Sequence, residues 1–175
     1  MAVTDGVEAG LRAVSRGATH LLLRMPEADL RAQYQALLEL AAAATVPVLA
    51  RSRTDLALAA GAAGVNLPEG DLPVAAARTL LGLGRMIGRS VHSLSGAAAA
   101  EAEGADFVLF GPVFETPSHP SGTPLGIEAL EEAARTLAIP VLAIGGVVDH
   151  ARGGTCLAAG AAGYAAIRLF RNLDG

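Results

Sequence analysis

The sequence predicts a single (β/α)8 barrel spanning residues 1–175, and three observations carry that expectation. Eight short β-branched or aliphatic runs alternate with seven helical patterns. The runs are apolar throughout, as parallel strands covered on both faces are. One phrase recurs before four of the strands: GATHLL (17–22), GAAGVNL (61–67), GADFVL (104–109) and GAAGYAA (160–166). In each, the Gly ends a helix and the next strand begins shortly after it.

In chain order, AVT (2–4) is the first strand and 7–16 the helix that follows it. HLLLRM (20–25) leads to a helical stretch at 27–43, PVLARS (47–52) to 54–61, and GVNL (64–67) to 73–82. MIGRSV (86–91) precedes 94–103, DFVLFGPV (106–113) precedes 127–137, and PVLAIGGV (140–147) precedes 150–159. YAAIRLF (164–170) reads as the eighth strand, with its helix missing or reduced to RNLDG. No change of composition marks a linker or second domain. An uninterrupted eightfold alternation favours a closed barrel over an open sheet. At 175 residues the chain is short for that fold, whose typical size is about 250.

Composition narrows the function. Hydrophobic residues make up 52% and aromatic ones 3%, so Ala, Leu, Val and Ile must build the core, with Gly and Ala allowing close approach. No apolar stretch nears the roughly 20 residues of a membrane span. MAVTDGVEAGLR lacks a signal-peptide pattern, so a cytoplasmic location is expected. Cys156 is the one cysteine and cannot form an internal disulfide; in CLAAG it reads as a buried small residue. A net charge of −4 without a basic run argues against nucleic acid. All 13 basic residues are Arg. Without Lys, Schiff-base chemistry is excluded, while bidentate phosphate contacts remain available. Exposed Ala/Leu helix faces make a homodimer an expectation.

A barrel keeps its active site at the C-terminal ends of its strands. Those ends supply Thr4 and Asp5, Arg24 and Met25, Arg51 and Ser52, Asn66, Ser90 and His92, Gly111 to Thr116, Gly145 and Gly146, and Ile167 and Arg168. The set lacks a carboxylate cluster and His/Cys metal spacing, and it suits an anion. AIGGV (143–147) closes the seventh strand, and Gly145 and Gly146 let backbone approach a phosphate, with Arg168 as a charged partner. GPVFETPSHPSGTPLG (111–126) reads as a functional lid bearing the hydroxyls of Thr116, Ser118 and Thr123. Of the histidines, His20 lies at the far end of the barrel and His150 opens the seventh helix, while His92 suits either a site role or a structural hydrogen bond. Asp55 reads as a first-turn helix charge.

Several motifs in fixed order resemble the thiamine phosphate synthase and TenI family. The loop at 111–126 resembles that family's GPxFxTxTKxxxxPxG, and RTDLALAAGAAGVNLPEGDLPVAAAR (53–78) its NDRxDLAxxxGADGVHLGQEDxPxxxAR. IGRSVHS, IPVLAIGGV, GAAGYAAI, MAVTD and LLLRM match further family stretches. The resemblance implies condensation of a pyrimidine pyrophosphate with a thiazole phosphate, with loss of pyrophosphate and a requirement for Mg²⁺. Residue by residue, it implies a thiazole-phosphate cradle at Thr116, Ser118, Gly145, Gly146, Ile167 and Arg168. It implies pyrophosphate contacts at Arg24 and Ser90, and a metal carboxylate at Asp71.

Other positions depart from the family pattern. The family's Lys residues fall at Pro26 and His119, its Asn-Asp pair at Arg51 and Ser52, and its His at Asn66. Arg51 and His119 are therefore expected as substitute pyrophosphate contacts. The acid–base His of the TenI-type thiazole tautomerases falls at Pro112. Three activities follow as expectations: a divergent synthase, a tautomerase-like protein, or a phosphate-ligand binder without turnover.

Overall fold

The computed structural model describes residues 1–117 and 123–171. Its strands are β1 (Ala2–Thr4), β2 (Leu21–Leu23), β3 (Val48–Arg51), β4 (Gly64–Leu67), β5 (Met86–Val91), β6 (Phe107–Phe110), β7 (Val141–Ile144) and β8 (Gly163–Ala165). They pair in parallel in sequence order. Closure is made at the ends of that order: Val3 N–H donates to the Ala166 carbonyl at 2.9 Å, and Ala166 N–H to that of Met1 at 3.2 Å. Between the strands lie α1 (Val7–Ser15), α2 (Leu30–Ala43), α3 (Thr54–Ala59), α4 (Val74–Leu81), α5 (Leu94–Ala102), α6 (Gly126–Thr136) and α7 (His150–Ala158). No helix among the described residues is long and apolar enough to cross a membrane.

The recurring Gly-Ala phrase has one physical basis in all four places. Gly17, Gly61, Gly104 and Gly160 have φ between +67° and +89°. The Ala that follows each one, Ala18, Ala62, Ala105 or Ala161, donates its N–H to the carbonyl five residues back. This is the double-bonded helix ending that a left-handed residue makes available. Those four Ala are buried, as are the acceptor residues Ala13, Ala57, Ala100 and Cys156. Cys156 thus occupies the place that Ala fills in the other three, consistent with a small-residue role. At the opposite face, Asp29, Ser93 and Asp149 cap α2, α5 and α7 through side-chain oxygens.

Two cores result. Leu21, Leu37, Leu40, Val65, Phe110 and Leu130 pack between sheet and helices. Inside the barrel sit Met1, Val3, Leu22, Leu49, Phe107, Leu109 and Ala165, with Met86, Leu142, Ile144 and Ile167 against them. With so few aromatics, one ring does much of the filling. Phe107 lies over Gly88, where a Cβ would come within 2.2 Å of the ring. At Gly64 a Cβ would stand 1.9 Å from the Met86 carbonyl oxygen, so β4 and β5 approach only because that side chain is absent.

The eighth element differs from the sequence expectation. YAAIRLF is not one strand: β8 ends at Ala165, and Arg168–Arg171 forms a short helix, α8. Arg171 pairs with Asp5 at 2.6 Å, and Arg16 donates to the Phe170 carbonyl at 2.9 Å. These contacts fold the end of the chain across α1, so its apolar residues pack as a helix.

Gly64→Ala should lower stability by about 3 kcal/mol, because the clash is with backbone. Gly61→Ala, whose Cβ meets nothing within 4 Å, should cost only about 1 kcal/mol of left-handed strain. Urea unfolding of the two variants checks the contrast.

Candidate functional site

Strand register assembles one side of the barrel mouth. Leu23 pairs with Ala50, and Arg51 with Asn66, so Arg24, Arg51 and Asn66 follow one another around the rim. Leu22 and Leu49 point into the barrel. Side chains alternate along a strand, so Arg24 and Arg51, two residues on, face the same side above them. Among the described residues, neither guanidinium has a hydrogen-bonding or ion-pair partner. Arg51 is half-buried. Burial, and after it the charge of Arg24, pull its pKa below the ordinary value, while Asp71 works in the other direction. Three charges therefore share this rim.

Asn66 is buried and donates from Nδ2 to the Ser90 hydroxyl at 2.8 Å, which orients Ser90. Its Oδ1 has no partner among the described residues. Ser52 ends β3 in a left-handed turn, with φ +66°. Its N–H donates to the Asn66 carbonyl at 3.0 Å. A non-glycine residue there costs about 1 kcal/mol, and the turn breaks the strand directly after Arg51.

The Asp71 carboxylate accepts from Leu72 N–H at 2.7 Å. Its loop is pinned from below by Arg89, which sequence reasoning missed. Arg89 is 7% exposed. It donates to the carbonyls of Pro68 (2.8 Å) and Leu72 (3.0 Å) and lies 3.5 Å from Glu103. Glu103 in turn accepts the Val74 N–H at 3.1 Å. The signal was a charged residue inside the apolar strand MIGRSV, because a buried guanidinium needs several acceptors.

The other side of the mouth is made of backbone. Gly145 and Gly146 have φ of +91° and +71°. A Cβ on the first would lie 2.6 Å from Pro112 Cα, and on the second 2.6 Å from the Glu115 carbonyl oxygen. Val113 N–H donates to the Ile144 carbonyl (2.9 Å) and Phe114 N–H to that of Gly145 (3.0 Å), laying residues 113–114 along the end of β7. Arg152 stacks over the Phe114 ring at 5.0 Å and donates to the Gly146 carbonyl at 2.7 Å. His92 Nδ1 is hydrogen-bonded to the Gly111 carbonyl, a structural bond between β5 and the loop.

Thr116 is half-buried at the end of this limb. Ser118 and His119 lie outside the described residues. Ile167 packs on the inner core, whereas Arg168 is exposed at the start of α8. The structure thus brings together Arg24, Arg51, Asn66, Ser90 and Asp71 on one side, and Gly145 and Gly146 with the 111–116 limb on the other.

The donor set does not suit a protein-held Mg²⁺. Among the described residues no three His, Cys, Asp or Glu side chains gather. Asp71 is a single carboxylate near Arg51 and Arg24, whose two guanidiniums oppose a dication, so a cation there would draw its other oxygens from water and substrate phosphates.

A family profile described as thiamine monophosphate synthase matches residues 2–170. A relative from Geobacter sulfurreducens is 46% identical over 94% of this chain and 83% of its own length. Thiamine-phosphate synthases of Roseiflexus sp. and Chlorobium luteolum are each 42% identical. They align with 95% and 89% of this chain, and with 70% and 75% of their own lengths. The solved thiamine phosphate pyrophosphorylase of Pyrococcus furiosus superposes with a TM-score of 0.87 at 30% identity, covering 97% of this chain and 89% of that one.

Arg89→Met should speed amide hydrogen exchange selectively in residues 68–74 and cost about 3 kcal/mol, because buried carbonyls and Glu103 lose their donor. Exchange mass spectrometry reads the first effect and urea unfolding the second.

Proposed function

This chain belongs to the thiamine monophosphate synthase family, and we propose that it is a thiamine-biosynthesis enzyme joining a pyrimidine pyrophosphate to a thiazole phosphate. The observation that carries the reading is the pair of guanidiniums of Arg24, just after β2, and Arg51, on β3, which have no partner among the described residues. Arg24 and Arg51 take the diphosphate, with the Ser90 hydroxyl, held by Asn66, beside them. As the carbon–oxygen bond to the pyrimidine methylene breaks, negative charge grows on the departing diphosphate oxygen. Fixed cations at that oxygen stabilise the change without reorganising.

The thiazole phosphate lies across the mouth. Backbone N–H groups at Gly145 and Gly146 and the Thr116 hydroxyl hold its phosphate. The thiazole nitrogen then attacks the pyrimidine cation, and a carbon–nitrogen bond replaces the carbon–oxygen bond. Ile144 and Ile167, at the top of the inner core, provide an apolar floor that keeps water from that cation. In this reading Ser118 serves the thiazole phosphate and His119 the diphosphate, as their positions in the loop sequence 111–126 imply. A tautomerase reading gains nothing from the geometry, since Pro112 carries no acid–base group and His92 is bonded to backbone.

Purified protein given both substrates in Mg²⁺-containing buffer should form thiamine phosphate, followed as its fluorescent thiochrome. Arg24→Ala should lower kcat/KM by about 100-fold. Thr116→Ala should raise KM for thiazole phosphate about 10-fold while leaving kcat nearly unchanged. No product from the wild-type protein overturns the synthase reading, and saturable thiazole phosphate binding without product leaves a ligand binder.

A further inference from the structure

We propose that the guanidinium pair of Arg24 and Arg51 binds the diphosphate directly, in the place where a protein-held Mg²⁺ would otherwise bridge it. The inference rests on the diphosphate side of the function proposed above, and it concerns how that group is held.

The charges at the rim favour this arrangement. Arg24, Arg51 and Asp71 interact, and together they leave one net positive charge. A dication arriving there meets two guanidiniums and one carboxylate. A diphosphate meets two cations whose donors have no partner among the described residues. Each guanidinium offers five N–H groups in a planar fork suited to phosphate oxygens.

Geometry supports the same conclusion. Leu23 pairs with Ala50, so Arg24, just past the end of β2, stands beside Arg51 at the end of β3, on chains that run about 4.8 Å apart. That spacing suits two phosphoryl groups sharing one bridging oxygen. The left-handed turn at Ser52 stops β3 immediately after Arg51, so the side chain leaves the strand at the mouth. Arg53, the next cation along, is held by Asp55 and does not compete.

The sign of one substitution separates this from a metal clamp. If Mg²⁺ bound through Asp71 carried the diphosphate, Asp71→Asn would abolish binding. If the guanidiniums carry it, removing the neighbouring negative charge helps the anion.

The test is isothermal titration calorimetry of the full chain with inorganic pyrophosphate, in EDTA and in Mg²⁺. Saturable binding is expected in EDTA, weakened about 10-fold or more by Arg51→Met and largely restored by Arg51→Lys. Asp71→Asn should tighten binding in EDTA about threefold. Binding seen only with Mg²⁺, or lost in Asp71→Asn, overturns the proposal. Pyrophosphate binding in EDTA without thiamine phosphate synthesis would support this inference and remove the synthase reading. Synthesis with strictly Mg²⁺-dependent pyrophosphate binding would do the reverse.

Discussion

Alternation by two inside a closed parallel barrel governs this mouth. Residues two apart along a strand share a face, so the position above each inward-facing residue opens on the mouth. Leu22 is followed in this way by Arg24, Leu49 by Arg51, Gly64 by Asn66, Gly88 by Ser90, Ile144 by Gly146 and Ala165 by Ile167. A one-residue slip in any strand would send its mouth residue among the helices and an apolar one to the mouth. Packing and the make-up of the mouth are thus one constraint, and the ring of Phe107 over Gly88 helps hold the register on which both depend.

Much of this was legible in the sequence because the signals were local. The Gly-Ala phrase marks a helix ending whose geometry needs only two residues and a left-handed φ. Arg24 and Arg51 stand at the ends of apolar runs, where a parallel strand has no use for a charge except at its mouth. What escaped was long-range or ambiguous. Arg89 acts on a loop about twenty residues earlier in the chain, and no pattern announces that contact. AAIRLF is an apolar run too short for periodicity to separate strand from helix, and its end packs across α1 as a helical turn. The strained turn at Ser52 carries no Gly or Asn to advertise it.

The two sides of the mouth use different physics. Gly145 and Gly146 work through backbone conformation, which salt does not screen and side-chain replacement can only obstruct. Arg24 and Arg51 bring charge, which at Arg51 is tuned by burial and by Asp71, and the field of such a pair weakens with ionic strength where it meets solvent. Within a molecule of net charge −4, two guanidiniums leave this rim locally positive despite Asp71, while pairs such as Arg78–Asp106 sit on the opposite face.

Cys156 carries a consequence of its own. It is fully buried in a helix ending, and burial pushes its thiol pKa up, so the reactive thiolate is scarce while the fold stays shut. Since it is the one sulfhydryl in the chain, a thiol reagent reports a single event, the opening of α7 away from β8. The molecule thereby carries an unlabelled clock for breathing of the barrel wall at the end away from the mouth.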